Sequence, residues 1–151
     1  MKRVLKKIII VDDNASYLSV VRVLLKPHYE VYPAPSAFKM FNIIEKIMPD
    51  LILLDISMPE MNGFEAITVL KENPRHKNIP VIFLTSKDDE ASAVKGIDLG
   101  AADYITKPFY GPLLLKRISN ILLIEQQNRD LQENILTITQ LRDQLECQGT
   151  E

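Results

Sequence analysis

KIIIVDDN, residues 7–14, decides the fold. Ile8, Ile9, Ile10 and Val11 are β-branched and leave no polar face. Lys7–Val11 therefore reads as a strand covered on both sides, as in a parallel sheet, rather than a strand wetted on one face. Two acids, Asp12 and Asp13, end the run at once. Asn14 suits a helix N-cap, and Tyr17, Leu18, Val21, Leu24 and Leu25 recur at helical spacing until Pro27 stops them. DLILLD, residues 50–55, repeats the device: a buried strand bracketed by acids.

Outward from these two strands the pattern alternates. Tyr29–Ala34 contains Pro33, which cannot donate to a ladder, so it reads as an edge strand. Ser36 caps a helix carrying Phe38, Phe41, Ile44 and Ile47. Pro59 and Gly63 punctuate a loop before a helix over Phe64–Lys71. Pro80–Leu84 is a fourth buried strand, ending at Thr85. Asp88 or Asp89 opens the next helix, through Ala91, Val94 and Leu99, and Gly100 stops it. Ala102–Thr106 is a short fifth strand, followed by Lys107–Pro108. Strands alternating with helices predict an α/β domain with a parallel sheet covered on both faces. A flavodoxin-like, doubly wound order of 2-1-3-4-5 puts the proline-bearing strand at the edge. It also sets the C-terminal ends of strands 1 and 3 side by side at the switch point, where this architecture binds ligands.

The 151 residues amount to about one domain with an appendage. Apolar residues make up 46%, enough for a core, and 18 basic against 20 acidic residues give a net charge of -2. That balance excludes a strongly basic nucleic-acid binder and a disordered acidic tail. The one cysteine, Cys147, excludes an internal disulfide and a Cys-rich metal site, and fits a reducing cytoplasm. The opening MKRVLKKIIIVDD has acids where a signal peptide needs small residues. No stretch approaches the roughly 18 apolar residues of a membrane span. Leu113–Ile124 comes nearest and is interrupted by Lys116, Arg117, Ser119 and Asn120.

The chemistry lies at the strand ends: Asp12–Asp13 after the first, Asp55 after the third, Thr85–Ser86 after the fourth and Lys107–Pro108 after the fifth. A lone aspartate at a strand end commonly caps a helix, and a lone lysine is commonly solvated. Four such residues at one end of one sheet point instead to a site. Three crowded carboxylates repel one another unless a cation intervenes, and a hard divalent ion with oxygen ligands, Mg²⁺ first, relieves the repulsion. One carboxylate is then a nucleophile toward phosphorus, and a hydroxyl with an ammonium neutralises the transferred oxygens.

IIIVDDN, LILLDISMPEMNGFE, PVIFLTS and GAADYITKPF together resemble a response-regulator receiver domain of the chemotaxis-regulator (CheY-like) type, from about Lys6 to about Ile121. The resemblance implies that Asp55 accepts a phosphoryl group from the histidine of a kinase or phosphotransfer protein. It implies that Asp12, Asp13, Asp55 and the backbone carbonyl of Ser57 hold Mg²⁺, that Thr85 is the switch hydroxyl and that Lys107 pairs with the phosphate. Tyr104 stands where the family keeps its rotating aromatic, Lys107–Pro108 resembles the family's cis peptide, and Ser57 and Lys87 flank the path of an attacking water. By the same resemblance the switch acts on the face made by helix 4, strand 5 and helix 5. Two features depart from the family. Ala102–Asp103 replaces the common acid pair, and apolar Leu113 stands where many members carry an acid. The charged dimer network of DNA-binding members is accordingly not expected here.

The receiver is expected over residues 1–124, with 125–151 a helical linker leading to an output domain that this chain lacks. No Gly or Pro lies between Leu113 and Gln148. A heptad reading puts Leu114, Ile121, Asn128, Ile135 and Arg142 at a, and Arg117, Ile124, Leu131, Ile138 and Leu145 at d. A parallel coiled-coil homodimer is expected from this seam. A helix folded back on the domain is the alternative, since Leu136 and Leu141 lie off it. The tail mixes Lys116, Arg117, Arg129 and Arg142 with Asp130, Glu133, Asp143, Glu146 and Glu151, so it is no polybasic arm.

Three other functions compete. An aspartyl-nucleophile phosphatase needs an acid two residues after Asp55, where Ser57 stands. A flavin module needs a hydroxyl- and glycine-rich first loop, where Asp12–Asp13–Asn14 stand. A pseudo-receiver that scaffolds without phosphorylation is disfavoured by intact Asp13, Asp55, Thr85 and Lys107. The expectation is a cytoplasmic phosphoacceptor switch, not an enzyme acting on external substrates, with no direct nucleic-acid or membrane contact.

Overall fold

The computed structural model describes residues 4–86 and 90–148. Five strands, β1 (Lys7–Val11), β2 (Glu30–Ala34), β3 (Leu51–Asp55), β4 (Val81–Ser86) and β5 (Asp103–Lys107), alternate with five helices. These are α1 (Ala15–Leu25), α2 (Ala37–Lys46), α3 (Gly63–Glu72), α4 (Glu90–Asp98) and α5 (Gly111–Gln148). All strand pairs are parallel and the order is β2-β1-β3-β4-β5. The expected flavodoxin-like, CheY-like fold with an extended last helix is the one observed. Pro33 sits on edge strand β2, opposite Ile10.

Strand alternation sorts the core into two layers. Ile9, Val11, Ile52, Leu54, Val81 and Phe83 pack under α2 and α3. Ile8, Ile10, Leu51, Leu53, Ile82, Leu84 and Ile105 pack under α1 and α5, where Leu114 and Ile118 are fully buried. α4 joins the first layer by close approach: a Cβ on Gly96 would stand 2.6 Å from the Phe83 ring.

Local chemistry sets the helix ends. The Asn14 side chain accepts the amides of Ser16 and Tyr17, and Ser36 accepts that of Lys39. Asn62 and Glu65 form a reciprocal capping box at α3. Gly100, at φ 109°, closes α4, with its amide on the Ile97 carbonyl and that of Ala101 on Gly96. The expected strand ends shift by one or two residues, and Asp88 and Asp89 lie outside the described residues. Three expected positions turn outward: Phe38 on α2 and Ala91 and Val94 on α4 are exposed. Their helices bury Ala37, Met40 and Ile44, and Ala93, instead.

Candidate functional site

The C-terminal ends of β1, β3 and β5 bring four charged groups together. Asp12, one residue past β1, is held by its amide on the Ala34 carbonyl at 3.1 Å and is 1% exposed. Its carboxylate accepts the Asn14 amide at 2.9 Å and the Lys107 ammonium at 2.6 Å. Asp55 ends β3, buried, with a carboxylate oxygen 3.4 Å from the same ammonium. Asp13 is exposed at the rim. Asp12, Asp13 and Asp55 each offer a carboxylate oxygen, and these oxygens lie within 4.8 Å of one another. An all-oxygen, strongly anionic donor set of this kind suits a small hard cation such as Mg²⁺.

The loop after Asp55 is shaped by backbone constraints. A Cβ on Gly63 would fall 2.5 Å from the Asp55 carbonyl oxygen, so only glycine lets α3 start against the acid. The Gly63 amide donates to the Ile56 carbonyl at 2.8 Å, and Glu60, at φ 68°, is the centre of a tight turn closed by Met61 on Pro59. Ser57 is exposed and shares with Asp13, Asn62 and Ser92 a cleft of about 540 Å³ beside the carboxylates. The remaining expected residues lie on β4 and β5 or outside the described residues. Thr85 is buried near the end of β4, and its hydroxyl donates to the Ser86 carbonyl at 3.4 Å. Lys107 ends β5, paired with Ser86, and the Lys107–Pro108 peptide is cis. Tyr104 is 41% exposed on β5. Lys87 lies outside the described residues.

Burial, then the negative Asp12 carboxylate, pushes the Asp55 carboxyl up to about 7 against the opposing pull of Lys107. Burial by itself would lower the Lys107 ammonium. Its bond to Asp12 and the nearby Asp55 charge outweigh burial and raise it.

Two contacts are invisible in the sequence pattern. Tyr17, expected among the core residues of α1, lays its ring over the Lys107 ammonium at 4.3 Å and packs on Phe109 at 6.3 Å between centroids. Helical periodicity puts Tyr17 on the inner face but carries no sign that it reaches the end of β5. Asp103, which stands in the family's acid pair, makes a two-toothed ion pair with Arg117 of α5 at 2.8 and 2.9 Å.

A doubly wound sheet with three acids at the switch point and a lysine ammonium between two of them places a charged site where this architecture binds ligands. Comparison with known proteins makes the class specific. The chain belongs to the response regulator receiver domain family, whose profile matches residues 8–119. It is therefore a receiver domain of two-component signalling. It is 41% identical over 111 residues to a probable cyclic di-GMP phosphodiesterase of Vibrio cholerae, covering 74% of this chain and 25% of that protein. It is 38% identical over 118 residues to the phosphate regulon transcriptional regulatory protein PhoB of Pseudomonas aeruginosa, covering 78% of this chain and 52% of that protein. The solved structure of the chemotaxis response regulator CheY4 of Vibrio cholerae superposes with a TM-score of 0.73 at 28% identity, over 78% of this chain and 99% of that one. The chain thus spans about half or less of these two sequence relatives. Among the described residues no helix is long and apolar enough to cross a membrane.

Proposed function

We propose that Asp55 is the phosphoacceptor of a two-component relay, taking its phosphoryl group from a histidine kinase or phosphotransfer protein in the cytoplasm. The Asp55 carboxylate attacks phosphorus. A P–O bond forms as the P–N bond to the donor imidazole breaks, and the leaving nitrogen keeps the bonding pair. Asp12, Asp13, Asp55 and the Ser57 carbonyl would hold Mg²⁺, which when bound neutralises charge on the phosphoryl oxygens. Lys107 moves from Asp12 to pair with the new oxygens, and Thr85 donates its hydroxyl to them. Inward movement of Thr85 leaves room for Tyr104, so a charge event becomes a repacking of the α4–β5–α5 face. The observation that carries this reading is the single ammonium shared by two carboxylates of a three-acid cluster. Acetyl phosphate with Mg²⁺ is expected to add one phosphoryl mass to the full chain and none to Asp55→Asn. Equal labelling of the variant overturns the acceptor assignment. A wild-type chain that takes no label points to a scaffolding pseudo-receiver.

The output runs through α5. Its 38 residues give about 57 Å of helix at 1.5 Å per residue. Leu114, Ile118, Ile121 and Leu122 pack on the domain, and Arg117 is held by Asp103, so the first heptad positions serve the receiver. The free seam starts at Ile124 and continues through Asn128, Leu131, Ile135, Ile138, Arg142 and Leu145. Beside it, Glu125, Asn128, Arg129 and Gln132 line a cavity at the base of the domain, so Asn128 is shared between the seam and that cavity. The apolar seam residues Leu131, Ile135, Ile138 and Leu145 are exposed, which supports a parallel two-stranded coiled coil with a second copy, with residues 125–151 as the linker to an output domain or partner.

A further inference from the structure

We infer that Tyr17 is a positioning residue for Lys107: its ring holds the ammonium over the pocket when Asp12 is no longer free to do so. This inference rests on Asp55 being the phosphoacceptor. In the resting site the ammonium has three neighbours among the described residues: the Asp12 carboxylate at 2.6 Å, the Asp55 carboxylate at 3.4 Å and the centre of the Tyr17 ring at 4.3 Å. The distance to the ring lies well inside the roughly 6 Å over which a ring face attracts a cation.

The three neighbours have different fates. Asp12 and Asp55 belong to the acidic cluster that suits a divalent cation, so a bound cation competes with Lys107 for their lone pairs. The ring competes for nothing. It sits in the first turn of α1, where its own amide is bonded to the Asn14 side chain, and it is braced by Phe109, which packs on the core under α1 and α5. A lysine on four flexible methylenes, released from Asp12, would otherwise spread into solvent. With the ring in place it stays within reach of Asp55 on a surface that is already fixed. The hydroxyl of Tyr17 plays no part, so phenylalanine should serve as well.

The test uses the full chain and two variants, Tyr17→Phe and Tyr17→Leu, with unchanged cooperative melting required of both. By NMR, the Lys107 ε-methylene protons of the unphosphorylated, Mg²⁺-free protein are expected upfield of other lysines through the ring current. They should stay so in Tyr17→Phe and return to ordinary shifts in Tyr17→Leu. With acetyl phosphate, Tyr17→Leu is expected to lower the saturating phosphorylation rate roughly three- to tenfold. The Mg²⁺ concentration for half-maximal rate should stay within about twofold, and Tyr17→Phe should match wild type. Ordinary Lys107 shifts in wild type overturn the contact. A Tyr17→Leu rate equal to wild type, or a Tyr17→Phe loss as large as that of Tyr17→Leu, overturns the role. Labelling of Asp55→Asn would instead sink the acceptor assignment, and the ring-current result stands apart from that.

Discussion

Lys107 favours Asp12 over Asp55: its ammonium is 2.6 Å from the first carboxylate and 3.4 Å from the second. Asp55 is thereby left buried and only partly compensated, which is why its carboxyl rises to about 7. Carboxyl ¹³C NMR of the Mg²⁺-free protein should show Asp55 titrating near neutrality and Mg²⁺ driving that midpoint down. Linkage gives the sign for stability. Between the unfolded carboxylate value near about 4 and the folded one, the native state binds more protons, so stability falls as pH rises through that window. Asp55→Asn, which never ionises, should gain about 1–3 kcal/mol of unfolding free energy at pH 7.5 without Mg²⁺. Urea melts at pH 5 and 7.5 check this, and a gain no larger at pH 7.5 than at pH 5 would refute it.

Removing the shared ammonium should have the opposite effect. In Lys107→Met the Asp12 carboxylate, 1% exposed, keeps only the Asn14 amide as a hydrogen-bond donor among the described residues. A cost of about 2–4 kcal/mol at pH 7.5 is expected, because a buried charge loses its partner. Mg²⁺ should restore part of it, and urea melts with and without the ion measure both quantities.

Gly63 tests how tightly the loop after Asp55 is set. Gly63→Ala places a methyl 2.5 Å from the Asp55 carbonyl oxygen and 2.9 Å from the Ile56 Cα, both backbone atoms that cannot swing aside. The start of α3 must shift, at a cost of about 1–3 kcal/mol. Phosphorylation by acetyl phosphate should slow with it. Thermal melting and intact-mass kinetics check both, and a neutral substitution would show that the loop yields easily.

The sheet and most of its site were legible because both are written in short, local signals. β1 and β3 announce themselves as runs of four buried residues ended by acids, and parallel pairing carries those acids to one edge. α4 was harder to read. Its buried face is built from Ala93 and Gly96, which have almost no hydrophobic signal, while the apolar Val94 faces out. Phe38 misled in the same way on α2, where Ala37 and Met40 take the inner face. Tyr17 and Lys107 are 90 positions apart in the chain and meet only through the fold. Arg117 fitted the heptad as a d residue, yet its pair with Asp103 belongs to the receiver. No local pattern distinguishes a helix position that serves a domain from one that serves a partner.

That division of α5 gives the last prediction its form. Leu114 and Ile118 are fully buried in the receiver, whereas Leu131, Ile135, Ile138 and Leu145 are all more than half exposed. Leu114→Ala should therefore cost about 2–4 kcal/mol in the stability of the domain. Ile135→Ala in the full chain should leave the stability of the receiver domain unmoved and weaken self-association instead. Light scattering on the full chain is expected to give a dimer, and ending the chain after Ile124 should give a monomer that melts as one cooperative unit. Asn128 and Arg142 keep the seam weak, because polar groups at a positions cost stability while fixing register. Changing Asn128 to Ile should accordingly tighten association and relax the preference for two strands. A full chain that stays monomeric at high micromolar concentration, with Ile135→Ala indistinguishable from it, would remove the coiled coil. The exposed seam would then need a different partner.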